Sequence, residues 1–223
     1  MLEPFAEDIW LVHRPLRFWG VETGTRMTVV RLAGGGLFVH SPVALDAATK
    51  AAVDALGPVT ALVAPSRFHH LFVGEWLRAY PEAQAFACPR LETKRADLRW
   101  QGVLGDVAEE PWRGELEQVF FGARWLENEV VFFHPKTATL ICADLIFNLA
   151  AHPSRLTRLA AAVLGNRAPG ATWLEHLILR DRLAARAQMS RMLAWRPRRI
   201  ALAHGALVEH DGTEVLRRAY AWL

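Results

Sequence analysis

The pattern of apolar and polar positions predicts a mixed α/β protein. Apolar runs typical of buried strands fall at 9–13, 27–32, 37–40, 59–64, 85–88, 117–121, 129–134, 139–143 and 199–203. Helical spacing with capping residues falls at 46–56, 75–80, 153–164, 172–195 and 212–223. Because the strand runs lack a clean polar alternation, the sheets are expected to be covered on both faces, which gives layered α and β.

Glycine and proline mark the turns between these elements. Gly34, Gly35 and Gly36 separate two strand-like runs, which predicts a hairpin. A phosphate-cradling loop is the alternative, but no helix follows directly. No repeat, linker or low-complexity tract divides the chain. We therefore expect one domain over 1–223, with a helical section at about 152–195.

Composition excludes several classes of protein. The chain is 52% hydrophobic and 22% charged, enough for a packed core, and its net charge of +3 is too small to indicate nucleic acid. A small-molecule ligand or substrate is expected instead. Cys88 and Cys142 lie in apolar runs and are expected to be reduced core thiols. The start MLEPFAEDIW is acidic where a signal peptide is basic, and the apolar stretch 139–151 contains Asp144 and Asn148. We expect a cytoplasmic protein without a transmembrane segment.

Polar side chains follow three of the predicted strands. The run 59–64 leads into a loop that contains His69 and His70, the run 139–143 ends at Asp144, and the last strand ends at His204, followed by Gly205. Loops after strand ends are where α/β proteins place functional groups. A structural histidine pair and a helix-capping aspartate are the simpler readings. Three histidines and an aspartate also form a suitable ligand set for Zn²⁺ or another first-row divalent ion such as Fe²⁺.

The order of these segments resembles the metallo-β-lactamase superfamily. Three stretches, Val-Arg-Leu…Gly-Leu-Phe-Val-His-Ser-Pro at 30–42, Ala-Pro…His-His-Leu-Phe at 64–72 and Phe-His…Thr-Leu-Ile-Cys-Ala-Asp-Leu-Ile-Phe-Asn at 133–148, are similar to its DUF4336 branch. The resemblance covers nearly the whole chain. It implies a four-layer αββα sandwich and, in many members, hydrolysis of esters, thioesters, lactams or phosphodiesters with one or two metal ions.

The first metal site that the resemblance implies is missing its ligands. The superfamily loop reads His-x-His-x-Asp-His, and the same register here is Pro65-Ser-Arg67-Phe-His-His, so that the first two ligand positions hold Pro65 and Arg67. The next histidine of that site should fall near Arg124 or Trp125, where no histidine occurs. The resemblance therefore implies a degenerate site.

The second metal site is better matched. His69 takes the aspartate position of the motif, His70 the histidine position, Asp144 that of the bridging aspartate and His204 that of the last histidine. These four residues imply a site for one Zn²⁺ or Fe²⁺ ion.

Two functions follow from the same residues. The first is a single-metal hydrolase of ester, thioester or phosphoester substrates, with Asp144 and Arg67 as catalytic groups. The second is a non-catalytic small-molecule-binding or regulatory protein, in which the Arg67 guanidinium replaces the ion and pairs with Asp144. In both, we expect an aromatic pocket wall formed by Phe68, Phe72, Trp76 and Trp125.

The helical section has an uneven charge. The range 151–199 contains ten arginines and two acids, Glu175 and Asp181. Such a basic face is either solvated or a contact for an anionic partner or membrane surface. We favour the solvated face, because the apolar positions follow a helical stripe that is expected to pack on the core: Trp173, Leu174, Leu177, Ile178, Met192 and Leu193.

Overall fold

A computed structural model describes residues 1–122 and 129–223 of the chain. Its strands are β1 Leu2–Ala6, β2 Ile9–Arg14, β3 Arg17–Phe18, β4 Val21–Glu22, β5 Thr25–Arg31, β6 Leu37–His40, β7 Val59–Ala64, β8 Gln84–Ala87, β9 Gly102–Val103, β10 Glu117–Phe121, β11 Glu129–His134, β12 Thr139–Ile141, β13 Phe147–Asn148, β14 Arg199–Ala201 and β15 His204–Gly205. Its α-helices are α1 Ala47–Asp54, α2 Val73–Ala79, α3 Leu91–Lys94, α4 Arg155–Val163, α5 Glu175–Ile178, α6 Arg182–Ala194 and α7 Gly212–Ala219. Short 3₁₀ turns lie at Glu110–Trp112 and Pro135–Thr137.

Two main sheets form the centre of the molecule. The first has seven strands in the order β1-β2-β5-β6-β7-β8-β9, and the second has four in the order β10-β11-β12-β14. Strands β6 to β9 pair in parallel, as do β12 and β14. The ends of β12 and β14 therefore lie at the same edge of the second sheet.

Side chains of the second sheet point alternately to two apolar layers. Phe132 packs in a cluster with the seven-stranded sheet and with α1 to α3. Its neighbour Val131 packs in a second cluster with Met189 of α6 and Leu216 of α7. Helices thus cover the outer face of each sheet while the two inner faces meet. The expected αββα sandwich is confirmed.

The glycine-rich hairpin is also as expected. Strands β5 and β6 pair antiparallel, and the Leu32 N–H donates to the Gly36 carbonyl at 2.9 Å. Gly35 takes a φ of +80°, which a residue without a Cβ adopts at little cost. Both cysteines are buried thiols, as predicted.

The helical section departs from the sequence prediction. The expected helix at 172–195 is two helices, because Leu179 is extended and Asp181 caps the start of α6, accepting a hydrogen bond from the Ala184 N–H at 2.9 Å. The expectation that the whole apolar stripe packs on the core is wrong. Met192 is fully buried, but three members of the stripe in and before α5 remain exposed, at 45% for Trp173, 38% for Leu174 and 66% for Leu177.

No helix in the described ranges combines the length and the apolar character that crossing a bilayer requires.

Candidate metal centre

The three strand ends singled out in the sequence meet at one point. Asp144 follows β12, and His204 follows the neighbouring parallel strand β14, whose Ala201 is in register with Ile141. His69 lies in the loop after β7 of the other sheet. Loops that follow strands of both sheets therefore contribute side chains to one buried cluster.

The ligand atoms of this cluster are in mutual contact. His69 Nε2 lies 3.1 Å from His204 Nε2 and 3.2 Å from Asp144 Oδ2. His204 Nε2 lies 3.0 Å from Asp144 Oδ1. Among the described residues, these three form the group of histidine, cysteine and acidic side chains whose ligand atoms all lie within 4.8 Å of one another.

Each imidazole is oriented through its other nitrogen. His204 Nδ1 lies 2.8 Å from the Gly24 carbonyl, which can only accept, so that this nitrogen carries the proton. His69 Nδ1 lies 2.7 Å from the Ser41 hydroxyl. A protonated Nδ1 leaves the lone pair of a neutral ring on Nε2, the atom that faces the cluster.

A second buried carboxylate holds the aspartate in place. Glu129, at the start of β11, is fully buried and accepts hydrogen bonds from the N–H groups of Ala143 and Asp144, the latter at 2.9 Å. The loop before His69 is held similarly, since Ser66 Oγ accepts from the His69 N–H at 3.1 Å. The backbone that carries Asp144 and His69 is thus fixed by a buried acceptor in each case.

The turn at His204 depends on close backbone approach. His204 and Gly205 pair with Phe147 and Asn148, and the ring of Phe147 stacks on His204 at 5.3 Å between centroids. A Cβ on Gly205 would lie 1.9 Å from the Asn148 carbonyl oxygen, and its φ is +94°. Arg26 donates to the Gly205 carbonyl at 2.8 Å from the other side. Only glycine fits between these partners.

Burial and charge oppose each other in this cluster. Burial alone would raise the pKa of Asp144, but the charge and hydrogen bonds of His69 and His204 outweigh it and hold that pKa well below its usual range. Burial likewise disfavours the charged form of His204, yet the hydrogen bond and charge of Asp144 raise the pKa of its imidazole. The carboxylate therefore requires a positive charge beside it.

The geometry fits a divalent metal ion. A tetrahedral Zn²⁺ with Zn–N bonds of about 2.0–2.1 Å places its ligands about 3.3 Å apart, close to the 3.0–3.2 Å observed between these atoms. The buried Oδ2 of Asp144 accepts no hydrogen bond within the described residues, and it lies 3.2 Å from His69 Nε2, the atom that would share the cation with it. Three protein ligands also leave one position open, the arrangement typical of catalytic sites.

Two of the predicted site residues lie apart from the cluster. His70 faces away, with Nδ1 at 3.2 Å from Nη1 of Arg95, and burial together with the charges of Lys94 and Arg95 lowers its pKa to about 4. The expected ion pair between Arg67 and Asp144 is not formed: in the described ranges the ion-pair partners of Asp144 are the two clustered histidines. The buried Nε of Arg67 has no hydrogen-bond partner there.

The predicted aromatic wall is only partly placed near the site. Phe68 is half-exposed beside His69, and Phe72 is partly buried against the core. Trp76 is wrong as a wall residue, because it is fully buried and its indole N–H donates to the Val43 carbonyl at 2.7 Å. Trp125 lies outside the described residues, as does Arg124.

Sequence reasoning missed the groups that orient the ligands. Ser41, Gly24 and Arg26 lie in the first sheet or next to its strands. They are distant in the sequence from the residues that they contact, which are His69, His204 and Gly205. Glu129 carried a usable signal, since it is an acid at the start of an apolar run, the same pattern at a strand end that singled out Asp144.

Comparison with solved structures defines the class of fold. A metallo-β-lactamase from Erythrobacter litoralis matches with a TM-score of 0.68 and 14% identity, covering 100% of this chain and 96% of the other. One from Pontibacter korlensis matches with a TM-score of 0.67 and 12% identity, over 99% and 98%. FIM-1 from Pseudomonas aeruginosa, in its mono-zinc form, matches with a TM-score of 0.63 and 14% identity, over 100% and 95%. The chain has the metallo-β-lactamase fold.

A family model narrows this class. The model described as a domain of unknown function, DUF4336, matches residues 6–202, and the chain belongs to that family. No curated protein matches the chain.

Proposed function

We propose that the protein is a single-metal hydrolase whose ion is held by His69, Asp144 and His204. The observation that carries this proposal is the convergence of two oriented imidazole nitrogens on one buried carboxylate, with spacings that suit a tetrahedral ion. The likeness to FIM-1, whose structure is a mono-zinc form, supports a site for one ion on this fold.

The chain's own groups define what such a site does. A divalent ion bound there supplies Lewis acidity, polarising a carbonyl or phosphoryl oxygen and making a coordinated water acidic near neutral pH. The Gly24 carbonyl holds a proton of His204 on Nδ1, so that its Nε2 faces the cluster, and the Ser41 hydroxyl orients the ring of His69 toward the same point. The substrates proposed are esters, thioesters or phosphoesters, and the half-exposed Phe68 next to His69 favours a partly apolar one.

The first experiment measures metal content. Untagged protein is expressed with added zinc or iron, and the metal per chain is determined after gel filtration. We expect one ion per chain, lost in Asp144→Ala and His204→Ala. His70→Ala is the matched control, because this neighbouring histidine faces Arg95 and should retain the ion. Absence of stoichiometric metal, or equal loss in His70→Ala, contradicts the three-ligand assignment.

The second experiment tests catalysis. Metal-loaded and metal-stripped proteins are compared on a p-nitrophenyl ester, an acyl thioester and a bis-p-nitrophenyl phosphodiester. Hydrolysis that depends on the ion and falls to background in Asp144→Ala supports the proposal. A loaded protein that turns over none of the three contradicts these substrate classes.

The metal-free binding protein remains a second candidate, supported by a single observation. The buried Nε of Arg67 has no hydrogen-bond partner within the described ranges, so it is available to an anionic ligand. Its predicted pairing with Asp144 is not the arrangement found. Absence of metal together with saturable binding of small carboxylates or phosphates, lost in Arg67→Ala, would favour this candidate.

A further inference from the structure

Helix α4 presents an apolar stripe to solvent. Leu156, Leu159 and Val163 recur at helical spacing and are 57%, 63% and 67% exposed. The opposite face packs inward through Thr157, whose hydroxyl donates to the Glu22 carbonyl at 2.8 Å. The inward face thus carries the small residues Thr157 and Ala161, whereas the three large apolar side chains of the helix face solvent.

The stripe continues onto the next segment. The indole N–H of Trp173 donates to the Val163 carbonyl at 2.9 Å, which joins the end of α4 to the start of α5. Trp173 and Leu177 are both exposed. We call these side chains the α4–α5 patch: Leu156, Leu159, Val163, Trp173 and Leu177. Such contiguous exposed apolar surface marks an interaction site more often than a solvated face.

The surroundings of the patch are basic. The range 151–199 contains ten arginines and two acids, a net charge of +8, and because the whole chain carries +3, the remainder carries −5. A general preference for arginine over lysine does not produce this asymmetry, since it would act on both parts. Arg155 and Arg167, which flank the patch, are exposed and form no ion pair within the described part of the chain.

We propose that the α4–α5 patch docks on an anionic lipid bilayer, with the apolar side chains in the interface and the arginines on the headgroups. Leucine, valine and tryptophan beside arginine are the composition of interfacial membrane-binding helices. This inference is independent of the metal centre.

Charge and chemistry favour this occupant over two others. A symmetric dimer would place the patch against itself and bring Arg155 and Arg167 of both copies together. Nucleic acid would engage the arginines through its phosphates but would leave the exposed leucines in water. A bilayer satisfies both sets of side chains.

The test is co-sedimentation of the full chain with vesicles. Binding is measured on phosphatidylcholine alone and on phosphatidylcholine with about 30 mol% phosphatidylglycerol, at low and high salt. We expect binding that requires the anionic lipid and weakens with salt. Metal-stripped protein is run in parallel and should bind equally, so that failure of the metal centre does not affect the result.

Paired variants locate the contact. Leu156→Ser with Leu159→Ser should weaken binding at least about tenfold, and Arg155→Glu with Arg167→Glu about thirtyfold or more. The matched controls, chosen outside the helical section, are the exposed Val103→Ser and Arg99→Glu, and circular dichroism confirms folding.

Several results would overturn the proposal. These are no binding to anionic vesicles, binding that the patch variants leave unchanged, and equal binding to neutral vesicles. A dimer in solution that the leucine variant dissociates, without vesicle binding, would identify a second copy as the occupant. Retention on RNA or DNA, without vesicle binding, would identify nucleic acid.

Discussion

Replacing Gly205 by alanine tests the geometry of the site most directly. Two structural costs combine at this position. The residue has a φ of +94°, where a Cβ costs about 1–2 kcal/mol. The added Cβ would also lie 1.9 Å from the Asn148 carbonyl oxygen, so that strands β13 and β15 must separate.

That separation breaks two hydrogen bonds between the strands. The Ala206 N–H donates to the Asn148 carbonyl and the side-chain amide of Asn148 donates to the Ala206 carbonyl, each at 2.9 Å. At about 1 kcal/mol each, the loss brings the total destabilisation to about 3–4 kcal/mol. For a chain of this size, 1 kcal/mol lowers Tm by about 2–4 °C, which predicts a drop of about 6–16 °C.

Two other glycines separate the contributions. Gly35 has a φ of +80° but nothing within 4 Å of an added Cβ, so Gly35→Ala reports the backbone cost alone. Gly105 has neither feature, and Gly105→Ala should leave Tm unchanged or slightly higher. Thermal unfolding followed by circular dichroism gives the three values. If Gly205→Ala lowers Tm no more than Gly35→Ala does, the Asn148 carbonyl does not exclude a Cβ at position 205.

Three further predictions concern the ligands and their supports. Glu129→Gln should lower the free energy of unfolding by about 2–4 kcal/mol, because an amide replaces a buried carboxylate that accepts two backbone N–H groups; urea unfolding measures this, and a change below 1 kcal/mol would argue against the contact. Ser41→Ala should weaken metal affinity about 10–100-fold without changing the fold, measured by chelator competition with the exposed Ser190→Ala as control. Metal affinity should rise with pH between about 5 and 8, because the ion competes with the proton that the raised pKa of His204 retains; a flat profile would contradict the role of His204. In the metal-free protein the protonated His204 stabilises the folded state below about pH 6.5. This stabilisation is lost as the pH rises through the pKa that His204 has in the folded protein.

The sequence predicted the positions of the ligands better than their partners. Strands 59–64 and 129–134 match β7 and β11, and the ends of the parallel strands brought Asp144 and His204 to one edge, as the topology requires. The direction in which the His70 side chain points could not be predicted from its spacing in the sequence. Adjacent side chains in a loop are oriented by local contacts, here that of the His69 backbone with Ser66 and that of the His70 ring with Arg95.

Errors elsewhere have similarly local causes. Apolar spacing predicted one helix at 172–195, but the cap at Asp181 began a new helix and left the preceding apolar side chains exposed. The hairpin of β3 and β4 pairs two residues of each strand, too few to give a periodic signal. The Gly24 carbonyl that orients His204 lies 180 positions away in the sequence. Only the tertiary fold brings the two residues into contact, so local sequence patterns could not predict it.

The charges of His69, Asp144 and His204 bear on which ligand this cluster can bind. Two Nε2 lone pairs 3.1 Å apart repel each other, and one buried carboxylate needs a compensating positive charge. In the metal-free protein a proton on one Nε2 donates a hydrogen bond to the other Nε2 or to Asp144. A divalent cation would bind both imidazoles and the carboxylate together, and Ser41, Gly24 and Glu129 already hold these three residues in place through hydrogen bonds. Because the Gly24 carbonyl holds the Nδ1 proton of His204, the Nε2 atom of that ring faces the carboxylate, the position from which it would bind an ion.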